Sequence, residues 1–411
     1  MTVADPGADR GSDRATTTAP AVGSAPRHSD ERLVTLPFAL IVATGLLYFI
    51  GLAMLSPVFG PYVKDHLGRS DDAVGFAQGA FAVGAIVLRP GIGRVGDRLG
   101  RRPLLIGGAF VVAVATALYG AVDSFSWFVA MRVLAGLGEA AFFVGAATMI
   151  TDRAPVERRG EAVSYWSIAV YGGLAFGPWL GERVLGSNDD RFAASWAVAA
   201  GFAAVSVIIG FATSEADGRP VPPPRGGSLV HRRAIGPGFV LFCGFVSLAG
   251  WQAFVKLYAR EDLATDDVGG VFLLYGVLIL GIRVFGARLP DQLGAHRAGT
   301  AALAFGAIGI GIVAAWPTLA GLYVGTFVFA LGQSLAYPAL LVLALHGVDD
   351  SERGSVVGTF SSFFDLSMGL GGVICGIVAD RFGYREMFAV GVAFAVGGLV
   401  YLRASPALRR G

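Results

Sequence analysis

Gly93-Arg94-Val95-Gly96-Asp97-Arg98-Leu99-Gly100-Arg101-Arg102 stands between two long apolar runs. It packs four arginines and one aspartate into ten residues. A lipid-facing helix does not tolerate that charge density, so the stretch reads as a tight hydrophilic link between two membrane spans. Gly93 and Gly100 permit the close turn. Asp97 is placed to accept hydrogen bonds from Arg98, Arg101 or Arg102, or to face a helix N-terminus.

Outward from this link the chain is apolar almost everywhere. Of its 411 residues 54% are hydrophobic and only 15% charged, and the mean hydropathy is +0.63. A soluble chain of this length would carry about 25% charged residues. Repeated runs of about 20 apolar residues point to an all-α polytopic membrane protein. Twelve spans are expected near 35–58, 74–93, 103–122, 126–150, 162–184, 193–213, 236–258, 268–286, 298–316, 319–345, 355–378 and 386–404. The expected organisation is a disordered tail at 1–32, a six-helix bundle at 33–213, a proline-containing linker at 214–235, a second six-helix bundle at 236–404 and a short tail at 405–411.

A net charge of +2 says little about partners. Where the charges fall says more. The amino-terminal tail, the even-numbered links and the carboxyl end hold most of the arginines, among them Arg98, Arg101, Arg102, Arg153, Arg158, Arg159, Arg232 and Arg233. The odd-numbered links mix their basic residues, including the chain's two lysines Lys64 and Lys256, with acids. That asymmetry predicts a plasma (inner) membrane protein with both termini cytoplasmic. Cys243 and Cys375 fall in separate apolar runs without metal or redox spacing and read as packing residues.

The halves repeat. An offset of 194 residues carries Arg89 to Arg283, Asp97 to Asp291, Gly100 to Gly294, Gly138 to Gly332 and Arg159 to Arg353. One offset holding in three regions implies duplicated bundles related by an axis along the membrane normal. The pattern G-x-x-x-D-R-x-G-R-R at 93–102 resembles the loop motif of the major facilitator superfamily, between the second and third of twelve helices. The resemblance implies a transporter built as two pseudo-symmetric six-helix bundles. It also implies a cytoplasmic gate latch formed by Gly93, Asp97, Arg98, Gly100, Arg101 and Arg102, with Arg89, Arg159, Asp291 and Arg353 nearby. On their chemistry alone, Arg89 and Arg283 are boundary arginines that snorkel toward water.

Span 4 carries Arg132 and Glu139 seven residues apart, hence on one helix face and about 10 Å apart along the axis. Span 11 carries Asp365 near mid-depth, where the repeat places Tyr171 in the first half. Ionisable side chains at that depth face a bundle interior or a wet cavity. The alternative is a static ion pair or hydrogen bond that joins helices. Span 4 resembles the R-x-x-x-G motif that the superfamily associates with proton coupling, so Glu139, Asp365 and Arg132 are the proton-coupling candidates. Span 5 carries Gly173-x-x-x-Gly177-Pro178-x-x-Gly181, which serves helix packing on physical grounds. It also resembles a motif of the superfamily's antiporter branches, mostly drug and metabolite exporters. The family's final doubled glycine is absent, with Glu182 in its place.

The candidate substrate-cavity residues are Tyr48, Gln78, Tyr165, Trp166, Tyr171, Trp251, Gln252, Tyr275, Gln333 and Tyr337. With the many phenylalanines around them they describe an apolar cavity with a few polar anchors, suited to a small amphipathic compound. The expected function is proton-coupled export of such a compound by alternating access. An uptake symporter is the alternative within the class, and a transport-dead receptor or lipid-moving protein the alternative outside it. No metal cluster, no catalytic Ser/His pair and no phosphate-cradling loop is legible. No enzyme activity, cofactor, metal or nucleic acid is therefore expected. The expected partners are the substrate, protons and the lipid bilayer, and the chain is expected to be a monomer.

Overall fold

The computed structural model describes residues 33–155, 158–186, 188–214, 230–286, 292–349 and 352–409, without the side chains of residues 89–91, 93, 94, 97, 98, 159, 160, 407 and 409. Among the described residues every regular element is a helix. The first is α1, Leu36–His66, interrupted at Met54-Leu55 and ending in a π-helical turn over Tyr62–His66. Then follow α2 Asp71–Leu99, α3 Arg101–Ala117, α4 Phe125–Arg153, α5 Arg159–Leu185 and α6 Phe192–Ala212. The second set is α7 Arg232–Asp262, α8 Gly269–Phe285, α9 Ala295–Ala315, α10 Leu319–Leu345, α11 Arg353–Phe382 and α12 Tyr384–Ala404. Nine of these are long and apolar enough to cross a membrane by length and composition. The others are α5 and the 17-residue α3 and α8.

The helix ends follow local chemistry. Thr35 caps α1 by accepting the Phe38 N–H, and Thr318 caps α10 by accepting the Gly321 N–H at 3.1 Å. Asp71 and Asp72 place negative charge in the first turn of α2, against the positive end of its dipole.

The charged stretch at 93–102 is not the loop that its charges suggest. α2 runs on to Leu99, and the turn into α3 is made by Gly100 alone, at φ 94°. Charge ends the membrane-embedded part of a helix without ending the helix, which continues into water until a residue tolerates the left-handed region. Gly294, the repeat mate of Gly100, opens α9 in the same way at φ 79°. The expected tail at 1–32 lies outside the described residues, as do 215–229 of the expected linker. α7 begins at Arg232, inside the range expected for that linker.

Packing obeys the repeat. In the first six helices α1 meets α5 and α6, α4 meets α2 and α3, and α3 meets α6. Raising every number by six gives the contacts of the second set: α7 with α11 and α12, α10 with α8 and α9, and α9 with α12. The halves join along two main seams, α2 with α11 and α5 with α8, which the same shift exchanges, and α1 also meets α7. The described residues form one compact unit.

The seams repeat residue by residue. Gly369 of α11 faces Ala82 of α2, and Ala175 of α5 faces Gly276 of α8, the same contact under the 194-residue offset. At Gly75, Gly79 and Gly276 an added methyl would run into the neighbouring helix, so small residues set the closeness of approach.

Candidate functional site

The links after odd-numbered helices share one face of the bundle, the far face. α1 begins and α12 ends at the near face. At the far face a belt of charge ties the halves together. Lys64 of α1 donates to Glu261 of α7, with 2.7 Å to its nearer oxygen, to Asp71 at 3.2 Å and to the Tyr384 hydroxyl at 2.8 Å. Tyr384 in turn donates to Asp71. Arg260 of α7 holds both carboxylate oxygens of Asp65. Lys256 of α7 is 2% exposed. It pairs with Glu182 of α5 at 2.6 Å and Asp189 of the α5–α6 link at 2.9 Å, and donates to the Asp266 carbonyl.

Nothing along the chain signals this belt beyond the mixture of acids and bases on the odd links. Both of the chain's lysines lie in it. Glu182, which interrupts the family's glycine pattern, is the counter-ion of Lys256. Burial pushes the Asp189 carboxyl above its ordinary value, and Lys256 and Arg260 pull it back.

Arg132 and Glu139 both lie inside the first half, 3% and 8% exposed. Arg132 donates from Nε to the Ala77 carbonyl at 3.1 Å and from Nη2 to Gln78 at 3.1 Å. Its guanidinium lies over the rings of Phe59, at 4.2 Å, and Phe81, at 4.7 Å. It therefore binds α4 to α2, and Gln78, a cavity candidate, is its acceptor. The Tyr48 phenol lies within electrostatic reach of Glu139 and stacks on Phe142 with 3.6 Å between ring centres. Trp166 packs edge-on to Phe49 and Phe143. Tyr165 is half-exposed nearer the amino end of α5, edge-on to Phe38.

Asp365 is 7% exposed. It precedes Gly369 by one turn, on the stripe of α11 that meets α2. On the other seam the same position is Tyr171, one turn before Ala175. There Arg283 of α8 turns into the protein, donates to the Tyr171 hydroxyl at 2.6 Å and stands 3.7 Å from the centre of its ring. Arg283, a boundary arginine by its sequence position, stays partly exposed in the last turn of α8. A ring and a phenol across the seam add a hydrogen bond and a cation–π contact.

The remaining cavity candidates lie in the second half. Trp251 is fully buried, 4.7 Å from Tyr275 and 6.2 Å from Phe329. Gln333 donates to the Gly244 carbonyl at 3.1 Å. Tyr337 bonds Ser361 at 3.0 Å and meets Phe360 edge-on. The Gln252 carbonyl accepts from Ser56 of α1 at 3.0 Å, so its backbone joins the halves.

The glycines of α5 form a packing stripe. A methyl on Gly173 would strike Phe49 and Ile50, one on Gly177 would strike Ala53 and Met54, and one on Gly181 would strike the Met54 carbonyl. Gly181 thus meets α1 where α1 is interrupted.

At the near face Arg101 pairs with Asp152, and Arg102 donates to the Phe211 carbonyl at 2.7 Å, both within the first half. Arg158 pairs with Glu161, and His231 lies 3.6 Å from Glu352. Each of these described pairs stays within one half. Arg353 begins α11 exposed to solvent. Gly93, Asp97 and Arg98, with Arg89, fall in α2, and Arg159 begins α5, but their side chains lie outside the described residues, as does the whole of Asp291. Among the described residues no group of His, Cys, Asp and Glu could hold a metal.

The comparisons agree with this architecture. The Major Facilitator Superfamily model matches residues 41–372 and 240–410. An uncharacterized MFS-type transporter of Salmonella typhimurium is 30% identical over 346 residues, 82% of this chain and 88% of that protein. A bacterial homolog of the human lysosomal transporter Spinster, solved inward-facing and occupied, superposes with a TM-score of 0.76 at 17% identity, covering 90% of this chain and 96% of that one. The nucleoside transporter NupG, solved as a point mutant, superposes at 0.77 with 13% identity over 90% of this chain and 99% of its own. These two solved structures share the fold. With the family model and the Salmonella relative spanning most of the sequence, the chain belongs to the Major Facilitator Superfamily and is a multi-pass membrane transporter of a small-molecule substrate, not an enzyme.

Proposed function

We propose that this transporter is proton-coupled and exports a small amphipathic organic compound by alternating access, from a plasma membrane in which both termini are cytoplasmic. The observation that carries this reading is the placement of Glu139 and Asp365, one acid in each half, both buried in spans. A carboxyl group held inside the bilayer is costly to keep charged. Exchanging a proton when the face it sees changes is the use that justifies the cost.

The cycle follows from the two faces. With the far face outside, the belt around Lys64, Lys256 and Arg260 is the external gate in its closed form, and the near-face side of the seams admits substrate from the cytoplasm. Breaking the belt lets the halves rock, and protons from outside reach the acids as substrate leaves. Deprotonation toward the cytoplasm resets them. The motif at Gly93, Asp97, Arg98, Gly100, Arg101 and Arg102, with Arg89, Arg159, Asp291 and Arg353, then latches the cytoplasmic side when the outside is open.

Export rather than uptake rests on the resemblance at Gly173, Gly177, Pro178 and Gly181. The test is flux in proteoliposomes carrying a preset proton gradient. Substrate added on the near-face side should collapse the gradient, and Glu139→Gln should abolish this while leaving the fold intact. A gradient that substrate dissipates only when both move inward would make the protein a symporter.

A further inference from the structure

The α5–α8 seam holds a cation that no carboxylate of the described residues neutralises. Arg283 presents a guanidinium, a planar fork of donors with no acceptor. Its described partner is the neutral phenol of Tyr171, and no carboxylate among the described residues is within ion-pair distance of it. Its Nε is out of solvent contact and has no acceptor among the described residues. A guanidinium packed at a helix seam with no described carboxylate partner is placed to take an anionic ligand.

A second, independent orphan lies on the same wall. The Trp251 indole N–H is buried and has no acceptor among the described residues. Its ring lies 4.7 Å from that of Tyr275, which adjoins Gly276, where α8 meets Ala175 of α5 one turn after Tyr171. Both unmet groups are donors. Tyr275 also stacks on the buried Phe329, with 6.0 Å between ring centres. Tyr275 stands eight residues before Arg283 on α8, about 12 Å along the axis. A ligand that satisfies this wall brings a negative charge at one end, a flat apolar body and an acceptor at the other.

We propose that Arg283 binds the carboxylate of a planar organic acid, with Tyr275 and Trp251 receiving its ring, and that the transported compound belongs to this class. The proposal rests on the reading above of a transporter for an amphipathic organic compound, and it supplies the charge. The α2–α11 seam is built differently at the matching place. There the offset puts Asp365 where Tyr171 stands, so an acid rather than a phenol lines that side. One seam is thereby suited to an anionic substrate and the other to a proton.

Binding tests this without transport. The purified full chain in nanodiscs is titrated with naphthoate, with naphthylmethanol and with naphthylmethylammonium, followed by tryptophan quenching and by thermal midpoint. Naphthoate should quench saturably and raise the midpoint, and the alcohol and the ammonium should bind at least about tenfold more weakly. Arg283→Gln should cost naphthoate about tenfold or more in affinity while leaving the ligand-free midpoint near that of the parent. Trp251→Phe should remove most of the quenching. Equal binding of the three probes, or unchanged naphthoate affinity in Arg283→Gln, would overturn the assignment.

If Arg283→Gln does not fold, Tyr171→Phe decides. Freeing Nη2 should keep or tighten naphthoate binding, and its abolition would make the tyrosine the anchor and defeat the proposal. No proton gradient enters this measurement. Failure here leaves proton-coupled export standing, whereas naphthoate flux in the proteoliposome assay without any proton movement overturns the coupling and leaves this site intact.

Discussion

Lys256 of α7 and Glu182 of α5 meet at 2.6 Å across the boundary between the two halves, and both side chains are nearly out of solvent. A pair in that setting is stable only while both partners are present. Desolvation has already been incurred, and each charge relies on the other.

Removing one partner should therefore do more harm than removing both. Lys256→Met leaves Glu182 and Asp189 buried without a cation and should cost the far-face-closed state about 3–5 kcal/mol. Lys256→Met combined with Glu182→Met should recover part of that loss. Distances between spin labels on the far-face ends of α1 and α7 check it: the single variant should open and the double variant should reclose.

The same cluster makes closure depend on acidity. Asp189, in the α5–α6 link, has its carboxyl raised by burial. A group raised in the closed form takes up a proton more readily there than when opening exposes it to water. Acidification should then favour closure, and closure should weaken as pH rises through the raised value. Lys256→Met removes a cation that lowers the carboxyl, so the dependence should extend to higher pH. The label distances measured across the acidic range report it; a pH-independent distribution would exclude Asp189 as the titrating group.

Arg132 should behave as a structural tie. Arg132→Lys cannot reproduce the two-directional hydrogen bonding to Ala77 and Gln78 or the stacking on Phe59 and Phe81. It should lower the thermal midpoint, at a cost of about 2–3 kcal/mol, without moving the pH profile of transport. A displaced profile with an unchanged midpoint would return Arg132 to the proton pathway.

Gly181→Ala should wedge α5 away from α1, since the new methyl overlaps the Met54 carbonyl. A loss of about 1–3 kcal/mol is expected. Gly107→Ala, where nothing lies within 4 Å, is the matched control and should be neutral. Thermal midpoints of the two proteins side by side provide the check.

Asp365→Asn should abolish gradient-driven flux but leave substrate exchange at equal pH on both sides. Exchange needs only the rocking of the halves, whereas driven flux needs the proton. Loss of both in a folded protein would show that Asp365 binds substrate or holds the seam.

The helices and their duplication were legible in the order of residues alone, because both are local. An apolar run of about 20 residues must become a helix in lipid, and the 194-residue offset is visible without any contact. Glu139 and Asp365 were legible in the same way, since acids in apolar runs stand out by composition. The stretch at 93–102 continues α2 to Leu99, because a run of charges reports the edge of the lipid and not the end of a helix. Which charges meet was settled only in three dimensions. Lys256 finds Glu182 across 74 residues, Arg283 finds Tyr171 across 112, and Lys64 finds Tyr384 across 320. Those meetings depend on how each helix is rotated and how closely the seams approach. Small residues such as Gly75, Gly79 and Gly276 set that approach through helix-on-helix packing, which no periodicity along the chain encodes.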